Sequence, residues 1–291
     1  MVDTTEPVAS LVPLDASRFE RFEYPGDDFP YYNGRPAAIS GRQWLFVMVM
    51  LVAAFVVLVT PIPMFAKGFG QFVPAVLFFA VPLIALAIVV PRHWTALFRR
   101  VGVRDIGWMV GFAVLNVLIG ALIGFTLTTL SGTNPNAALA GLANLPLAGL
   151  ILFFLKTIPQ LFGEEVFTIL PFLALLWLFC AKLHLSRRAS ILAAWVIAAL
   201  LFAGAHLPTY GWNVVQCLAV IGSTRLVLLL PYIMTKSIWV STGAHILNDW
   251  ILFILTILLT GPGRKIRGPD PSDFASLQLS RSTGESLGQP T

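Results

Sequence analysis

Long apolar stretches separated by short polar connections form the main pattern along this chain. Most of the stretches approach or exceed the roughly 20 residues that an α-helix needs to cross the hydrocarbon core of a bilayer. Residues 148–178 form a longer stretch broken by Pro159 and Pro171, which we interpret as one spanning helix to about residue 167 and a bent continuation after Pro171. The other predicted spans cover about residues 44–61, 72–90, 108–130, 189–206, 214–234 and 238–259.

The composition agrees with this pattern. Of 291 residues, 57% are hydrophobic and only 11% are charged, whereas soluble domains carry about 25% charged residues. The expected fold is therefore all-α: a polytopic integral membrane helical bundle with seven or eight transmembrane helices. The net charge of +5 belongs to the connections between helices, so membrane orientation explains it and we expect no nucleic-acid partner.

The polar segments divide the chain into four parts. Residues 1–42 have no apolar core behind a basic start, so they do not resemble a cleaved signal peptide, and we expect a polar cytoplasmic extension. Residues 43–145 would form N-terminal transmembrane helices, and residues 146–260 would hold the chemistry. Residues 261–291 are rich in Pro, Ser and Gly and are expected to be disordered.

The distribution of Lys and Arg predicts the orientation. The successive connections carry four, one, four, zero, three, zero and one positive charges, an alternation that favours a cytoplasmic N-terminus. The protein would then be a multi-pass protein, in the plasma membrane if the cell is prokaryotic. Arg264, Lys265 and Arg267 do not fit this orientation if there are seven spans, so the count is left at seven or eight.

Ionisable residues inside the apolar stretches are the candidates for chemistry. Between Ile106 and Pro269 the carboxylates are Glu164, Glu165 and Asp249 alone. His206 and His245 lie in similar surroundings. A charge at membrane depth costs a few kcal/mol or more, about 3 by insertion scales, so such residues are kept mainly for function. Together they supply the parts of a buried, water-activating site.

Glu164 and Glu165 are adjacent, so on a helix their side chains point about 100° apart. One of them can face a substrate, and the other would orient a neighbour or share a proton. A carboxylate in a poorly solvated site can accept a proton from water near neutral pH. The alternative is a hydrogen bond that only packs helices together.

His245, Asn248 and Asp249 share one helix face, since residues three and four apart are neighbours on a helix. This group could hold the imidazole in one tautomer and offer donors to a developing oxyanion. His206, at the predicted end of its helix, could pair with a glutamate to position water. For each histidine alone, a packing role is the competing interpretation.

These residues resemble the motifs of the CPBP family of intramembrane proteases, which includes CAAX prenyl proteases and bacteriocin-processing or immunity proteins. The family motifs are Glu-Glu-x-x-x-Arg, Phe-x-x-x-His and His-x-x-x-Asn/Asp. The chain has Glu164-Glu165, then Phe202 four residues before His206, then His245 four residues before Asp249, all within about residues 145–255.

The resemblance implies a glutamate-dependent intramembrane endopeptidase, with residues 146–260 as its core. Glu164 and His206 would activate water, while His245 and Asp249 would stabilise the oxyanion. Asn248 could substitute in that role, Phe202 would border the substrate, and Glu165 would tune or orient. Because water must reach the glutamate, we expect a cavity open to the cytoplasmic side.

One position departs from the family pattern. The motif arginine falls at Ile169, which bears on activity. Lys156 and Arg225 are unusual cations within predicted spans and could compensate by contacting the acids. Otherwise their side chains would extend to the interface or bond to backbone.

The remaining expectations concern cofactors and partners. Two histidines and a glutamate could ligate Zn²⁺, but no His-Glu-x-x-His helix is present, so we predict no metal, with zinc as the alternative. The predicted partners are the bilayer and a hydrophobic or lipidated peptide or protein substrate. Two other classes stay open: a non-catalytic binding or immunity relative, and a proton-coupled transporter.

Overall fold

The computed structural model describes residues 18–26, 28–136 and 139–260. The predicted disordered tail and the first seventeen residues lie outside this part of the chain. In the described part, seven helices are long and apolar enough to cross a membrane, and the prediction of an all-helical, multi-pass membrane protein is confirmed. The helices are α1 Gly41–Val59, α2 Phe72–Val89, α3 Val103–Leu130, α4 Leu147–Trp177, α5 Arg187–Ala205, α6 Val214–Thr235 and α7 Ile238–Thr260.

Helix α4 is longer than predicted and is not divided at Pro171. It contains both Pro159 and Pro171 and continues into a π-helical turn, Leu178–Lys182. A proline removes one backbone hydrogen bond, and neighbouring membrane helices can compensate for that loss. The stretch therefore contributes one span, and the described chain has seven.

Helix α4 is the centre of the bundle. It packs against α1, α2, α5 and α7, while α3 packs against α6 and α7. Two glycines permit the closest approaches: a Cβ at Gly163 would overlap Phe78 of α2, and one at Gly243 would overlap Met109 of α3. Small residues bring membrane helices together in this way. Because Gly163 precedes Glu164 and Gly243 lies two residues before His245, these contacts also set the position of the polar residues.

The described part of the N-terminal segment packs onto one end of the bundle. Here α1, α3, α5 and α7 begin, and most of the Lys and Arg of the connections lie here, so we call it the basic end. Phe29, Tyr31 and Tyr32 are buried there in the main hydrophobic core. Glu23 accepts hydrogen bonds from Arg187 and Lys236. This segment is therefore held by both apolar burial and ion pairs.

Helix α6 contains an irregular stretch directly before the site. Its first turn, Val214–Gln216, leads into a π-helix, Cys217–Gly222, before the regular helix resumes at Ser223. Inserted π-turns change which side chains share a helix face, and they are frequent beside functional sites. Arg225 follows three residues later and points into the bundle, where it is 1% exposed.

Candidate active site

A cavity of about 500 Å³ brings most of the predicted site residues together. It lies among α3, α4, α5, α6 and α7 and extends from the buried charges to the end of the bundle opposite the basic end. Glu165 does not line it and is fully buried behind it, and Lys156 borders a different cavity. The predicted residues that line it are Glu164, Phe202, His206, Arg225, His245, Asn248 and Asp249.

The two adjacent glutamates have different surroundings. The Glu164 side chain is 14% exposed, against 0% for Glu165. Glu164 Oε1 accepts a hydrogen bond from Gln160 Nε2 at 3.3 Å, and its other oxygen has no hydrogen bond from a described residue. Glu165 Oε1 accepts from Arg225 Nη1 at 2.7 Å and from His245 Nδ1 at 2.8 Å. Glu164 is thus available to a molecule in the cavity, whereas Glu165 is committed to its neighbours.

His245 connects the acids. Because an ionised Glu165 can only accept, the short contact assigns a proton to Nδ1 of His245. The opposite ring nitrogen, Nε2, lies 3.8 Å from Glu164 Oε2 and 3.7 Å from Asp249 Oδ1. These distances exceed those of a direct hydrogen bond. A water molecule or a substrate oxygen could therefore bridge Nε2 and the two carboxylates.

Arg225 supplies the cation of the cluster. Its side chain is fully buried; Nη1 contacts Glu165, and the guanidinium lies over the ring of Phe202 at 4.5 Å from the centroid. Its Nε and Nη2 atoms have no hydrogen-bond partner in the described structure. Ile169, at the position of the missing motif arginine, is fully buried in the apolar core. Arg225 thus contacts Glu165, one of the two adjacent glutamates, from another helix.

His206 and Phe202 form a pair at the end of α5. The last four carbonyl groups of a helix lack intrahelical donors, and His206 Nδ1 lies 2.9 Å from the Phe202 carbonyl. If Nδ1 donates there, Nε2 is left without a proton in the neutral ring and can act as an acceptor. The two rings are 4.4 Å apart between centroids. His206 makes no ion pair with Glu164 within 4.0 Å, so a shared water would have to connect them.

A further polar residue, Asn116 of α3, belongs to this site and was not predicted from the sequence. Its Nδ2 donates to Asn248 Oδ1 at 3.0 Å, and Asn248 Nδ2 donates to Asp249 Oδ1 at 2.8 Å. Asn116 is 2% exposed. The available signal was a single amide in an otherwise apolar span, which is costly at membrane depth unless paired.

The far end of the cavity is formed by two connections between helices. Asn134, after α3, and Gln216, at the start of α6, exchange two hydrogen bonds at 2.8 and 2.9 Å. Asn136 donates to the Tyr210 hydroxyl at 3.3 Å, and burial raises the pKa of Tyr210 to about 12. Since Asn136 and Tyr210 line the cavity, the cavity reaches this end of the bundle and not the basic end.

The described residues offer poor conditions for a metal ion in this cluster. Within residues 18–26, 28–136 and 139–260, no three His, Cys, Asp or Glu side chains are grouped to hold one. The Arg225 guanidinium contacts Glu165 and lies 3.3 Å from His245 Nδ1, so a divalent cation bound by them would face a fixed positive charge. The expectation of no cofactor stays a prediction.

The fold and the cavity define a polytopic helical membrane protein with a buried carboxylate–histidine site. A family model described as Rce1-like, type II CAAX prenyl endopeptidase, matches residues 145–251. The match runs from the start of α4 into α7 and confirms the CPBP-type family resemblance read from the motifs. It associates this segment with a family of membrane proteases. No curated protein and no solved structure matches the chain.

Proposed function

We propose that this protein is an intramembrane endopeptidase that hydrolyses a peptide bond of a membrane-associated or lipidated substrate. The observation that carries the proposal is the division between the glutamates: Glu164 faces a cavity that reaches the aqueous edge of the bundle, while Glu165 is bound to Arg225 and His245. A buried base beside a water-accessible cavity meets the first requirement of hydrolysis.

The proposed reaction begins with a water between Glu164 and the Nε2 atom of His206. Glu164 takes a proton from this water as the water oxygen attacks the scissile carbonyl carbon. The carbonyl π-electrons move to oxygen, giving a tetrahedral oxyanion. The electron pair of the oxyanion then re-forms the C=O bond as the C–N bond breaks. The C–N electron pair stays on nitrogen, and Glu164 returns the proton to the leaving amine.

The oxyanion would lie beside α7. His245, protonated at both nitrogens, would donate from Nε2, and Asn248 can present its amide because Asn116 and Asp249 fix its orientation. Fixed donors aimed at developing charge are usually the largest contribution to acyl-transfer catalysis. Glu165 would stabilise the positive charge on His245, and Arg225 would hold Glu165 in place, acting as the positioning residue that the family has on α4.

The side of the membrane at which the cavity opens follows from the orientation. The N-terminal segment packs at the basic end, and the cavity opens at the opposite end of the bundle. A cytoplasmic N-terminus and a cytoplasmic cavity opening therefore exclude each other. We keep the cytoplasmic N-terminus, because the basic end has far more Lys and Arg in its connections. A cavity on the other side still meets the requirement for water, since water is present on both sides of the membrane. Labelling of a cysteine placed at Thr60 with a membrane-impermeant maleimide reports the side.

The deciding experiment compares the purified wild type with Glu164→Gln and His206→Ala on hydrophobic and farnesylated peptides, with products identified by mass spectrometry. We expect a fragment from the wild type and a decrease of about 10³-fold or more for Glu164→Gln, since one general base contributes about 10²–10⁴-fold. His93→Ala, at a histidine outside the cavity, is the matched control for His206→Ala.

Three results would contradict the proposal. Equal cleavage by the wild type and Glu164→Gln would remove Glu164 from the reaction. Binding of peptides without any product, from folded protein, would support the non-catalytic binding class. Uptake that depends on a pH gradient, again without product, would support the transporter class.

A further inference from the structure

A groove at the basic end lies between the N-terminal segment and the connection from α2 to α3. Its volume is about 860 Å³, and it is bordered on one side by the segment up to Pro36 and on the other by residues 95–100. Three arginines line it, Arg35, Arg99 and Arg100, and Asp28 is the only carboxylate among its described lining residues. We call it the arginine groove. It is separate from the candidate active site, which opens at the opposite end of the bundle.

The carboxylate of Asp28 does not neutralise the groove, because both of its oxygens are already used. Oδ1 accepts a hydrogen bond from Arg187 Nη2 at 2.7 Å, and Oδ2 accepts one from the Tyr32 hydroxyl at 2.7 Å. Arg187 and Lys236 also bind Glu23. This cluster of two acids and two cations is therefore balanced in charge without the arginines of the groove.

The three arginines of the groove have different roles. Arg99 joins its two walls, since Nη2 donates to the Asp28 carbonyl at 2.5 Å. Arg35 and Arg100 are exposed, and neither forms an ion pair with a carboxylate of the described residues. A guanidinium presents a planar fork of donors that can bind two oxygens of a phosphate at once. Two such groups in one groove favour a phosphate-bearing ligand.

The position of the groove indicates a membrane lipid as the source of the phosphate. The groove lies where α2 ends and α1 and α3 begin, and Trp94 is in the same connection, as is typical of the headgroup level. Directly after Arg100, the apolar side chains of Val101, Val103 and Ile106 are exposed around the start of α3. In the proposed orientation this end faces the cytoplasm, and the cytoplasmic leaflet carries anionic lipids.

We propose that the arginine groove binds the headgroup of an anionic phospholipid. The phosphate oxygens would accept hydrogen bonds from Arg35 and Arg100, and the acyl chains would cover the exposed apolar residues at the start of α3. A phosphatidylcholine has the same phosphate, but its quaternary ammonium would lie among the arginines, so it binds more weakly. This site does not depend on the proposed function.

Lipid bound in the groove should also stabilise the bundle. Ser237, directly before α7, donates to the Arg99 carbonyl at 3.1 Å. Phe98, which lines the groove, packs on Trp239 of α7 with 5.3 Å between the ring centroids. The connection that borders the groove is thus attached to α7. Since a ligand that binds only the folded protein stabilises it, the melting temperature gives a second measurement of binding.

The test measures lipid binding to the full-length protein in a neutral detergent. Phosphatidylglycerol and phosphatidylcholine with identical acyl chains are titrated, and native mass spectrometry gives the dissociation constant of each lipid. We expect phosphatidylglycerol to bind about tenfold more tightly or better, since each arginine near the headgroups contributes about fivefold to the attraction of an anionic lipid. Equal binding of the two lipids by the wild type would overturn the proposal.

Two double variants with the same loss of charge assign the preference to the groove. Arg35→Gln/Arg100→Gln should lose most of the preference for phosphatidylglycerol. Arg42→Gln/Arg92→Gln, at two exposed arginines of the basic end that do not line the groove, is the matched control and should keep it. An equal loss in both variants would mean that phosphatidylglycerol responds only to the overall charge of this end, which would overturn the proposal.

A soluble headgroup distinguishes a lipid from free phosphate. Phosphatidylglycerol at ten times its dissociation constant should raise the melting temperature of the wild type by about 3 °C or more, and this shift should be absent in Arg35→Gln/Arg100→Gln. Glycerol phosphate at the same concentration should give no shift, because it lacks the acyl chains. An equal shift with glycerol phosphate would identify a soluble phosphate as the ligand and overturn the lipid site.

Discussion

Two buried glutamates of this protein, Glu23 at the basic end and Glu165 in the middle of α4, each contact an arginine, but their environments differ. Both oxygens of Glu23 are occupied: Oε1 accepts from Phe19 N and Arg187 Nη1, and Oε2 accepts from Arg187 Nη2 and Lys236 Nζ. Glu165 uses only Oε1, and its Oε2 has no partner in the described structure. The first arrangement holds two segments together, and the second leaves bonding capacity beside a cavity.

The charges around Glu23 also indicate a structural role. Burial would raise the pKa of Glu23, but Arg187 and Lys236 lower it to about 2, so the carboxylate stays ionised over the whole physiological range. Burial also lowers the pKa of Lys236 to about 8, against the opposing effect of Glu23. This cluster consists of fixed ion pairs between the N-terminal segment and the helices.

The cluster around Glu165 is less complete. Arg225 Nε, Arg225 Nη2 and Asn116 Oδ1 have no partner among the described residues. An unsatisfied buried polar group costs about 1–3 kcal/mol, so a folded protein retains several in one place when water or another molecule uses them. The comparison is what we expect if the Glu23 cluster stabilises the fold and the Glu165 cluster has the proposed catalytic role.

The largest effect on stability is expected from Glu23→Gln. The substitution removes the carboxylate that Arg187 and Lys236 share, while Arg187 keeps its ion pair with Asp28 at 2.7 Å. Removing one partner of a buried ion pair costs about 3–5 kcal/mol. Thermal unfolding in detergent measures the loss. Glu20→Gln, at an exposed glutamate of the same segment, is the control and should leave the melting temperature unchanged.

The pH dependence of this effect has a defined sign. The pKa of Glu23 is about 2 in the folded protein against 4.5 as the ordinary value. Its stabilisation is therefore fully present above about pH 4.5 and is lost as the pH falls toward 2. The difference in melting temperature between wild type and Glu23→Gln should shrink below pH 4.5. A constant difference down to pH 3 would show that the Glu23 charge does not act as proposed.

Arg225→Met tests the other cluster and should lower both stability and catalysis, because it removes one partner of a fully buried ion pair. The methionine fills similar volume but leaves Glu165 and His245 without the guanidinium, so kcat should fall about 10²-fold, equivalent to about 2.7 kcal/mol. KM should change little, because Arg225 acts through Glu165 and His245. Peptide cleavage over a range of substrate concentrations separates the two parameters.

Rescue distinguishes positioning from general folding. Arg225→Lys keeps the charge near Glu165 but not the planar fork, so activity should return in part. Arg42→Met, at an exposed arginine in the first turn of α1, is the matched control. If Arg225→Met lowered the melting temperature but left kcat unchanged, Arg225 would belong to the same structural class as the Glu23 cluster.

The sequence was sufficient to predict the fold and to select seven residues that line one cavity. It did not show that Glu165 lies behind this cavity or that Lys156 borders another one. The spans follow from continuous apolar stretches, and residues such as Glu164 and His245 stand out because ionisable groups are rare at membrane depth. The continuity of α4 through Pro171 was missed, because a local helix-breaking preference does not include the packing of neighbouring helices.

Other features depend on contacts that no local pattern specifies. Glu23 lies in a polar segment with no helical periodicity, so its burial against α5 was not predictable. The contact of Arg225 with Glu165 crosses 60 positions of the chain and follows the π-helix in α6. Asn116 lies outside the segment 145–251 that matches the family model, and only the packing of α3 on α7 brings it to Asn248.

The smallest effect is expected from Asn116→Leu, which tests whether the active-site cluster extends to α3. Without the Asn116 amide, Asn248 is no longer fixed with its Nδ2 toward Asp249, and kcat should fall about tenfold, equivalent to about 1.4 kcal/mol, with little change in KM. Thr126→Val, at an exposed position of the same helix, is the control. A double mutant with Asn248→Leu should be no slower than Asn248→Leu alone, since Asn116 acts through Asn248. Additive losses in the double mutant would instead mean that Asn116 affects the reaction independently. A lower melting temperature with unchanged kcat would assign Asn116 to helix packing. The active-site cluster would then be limited to the four helices from α4 to α7.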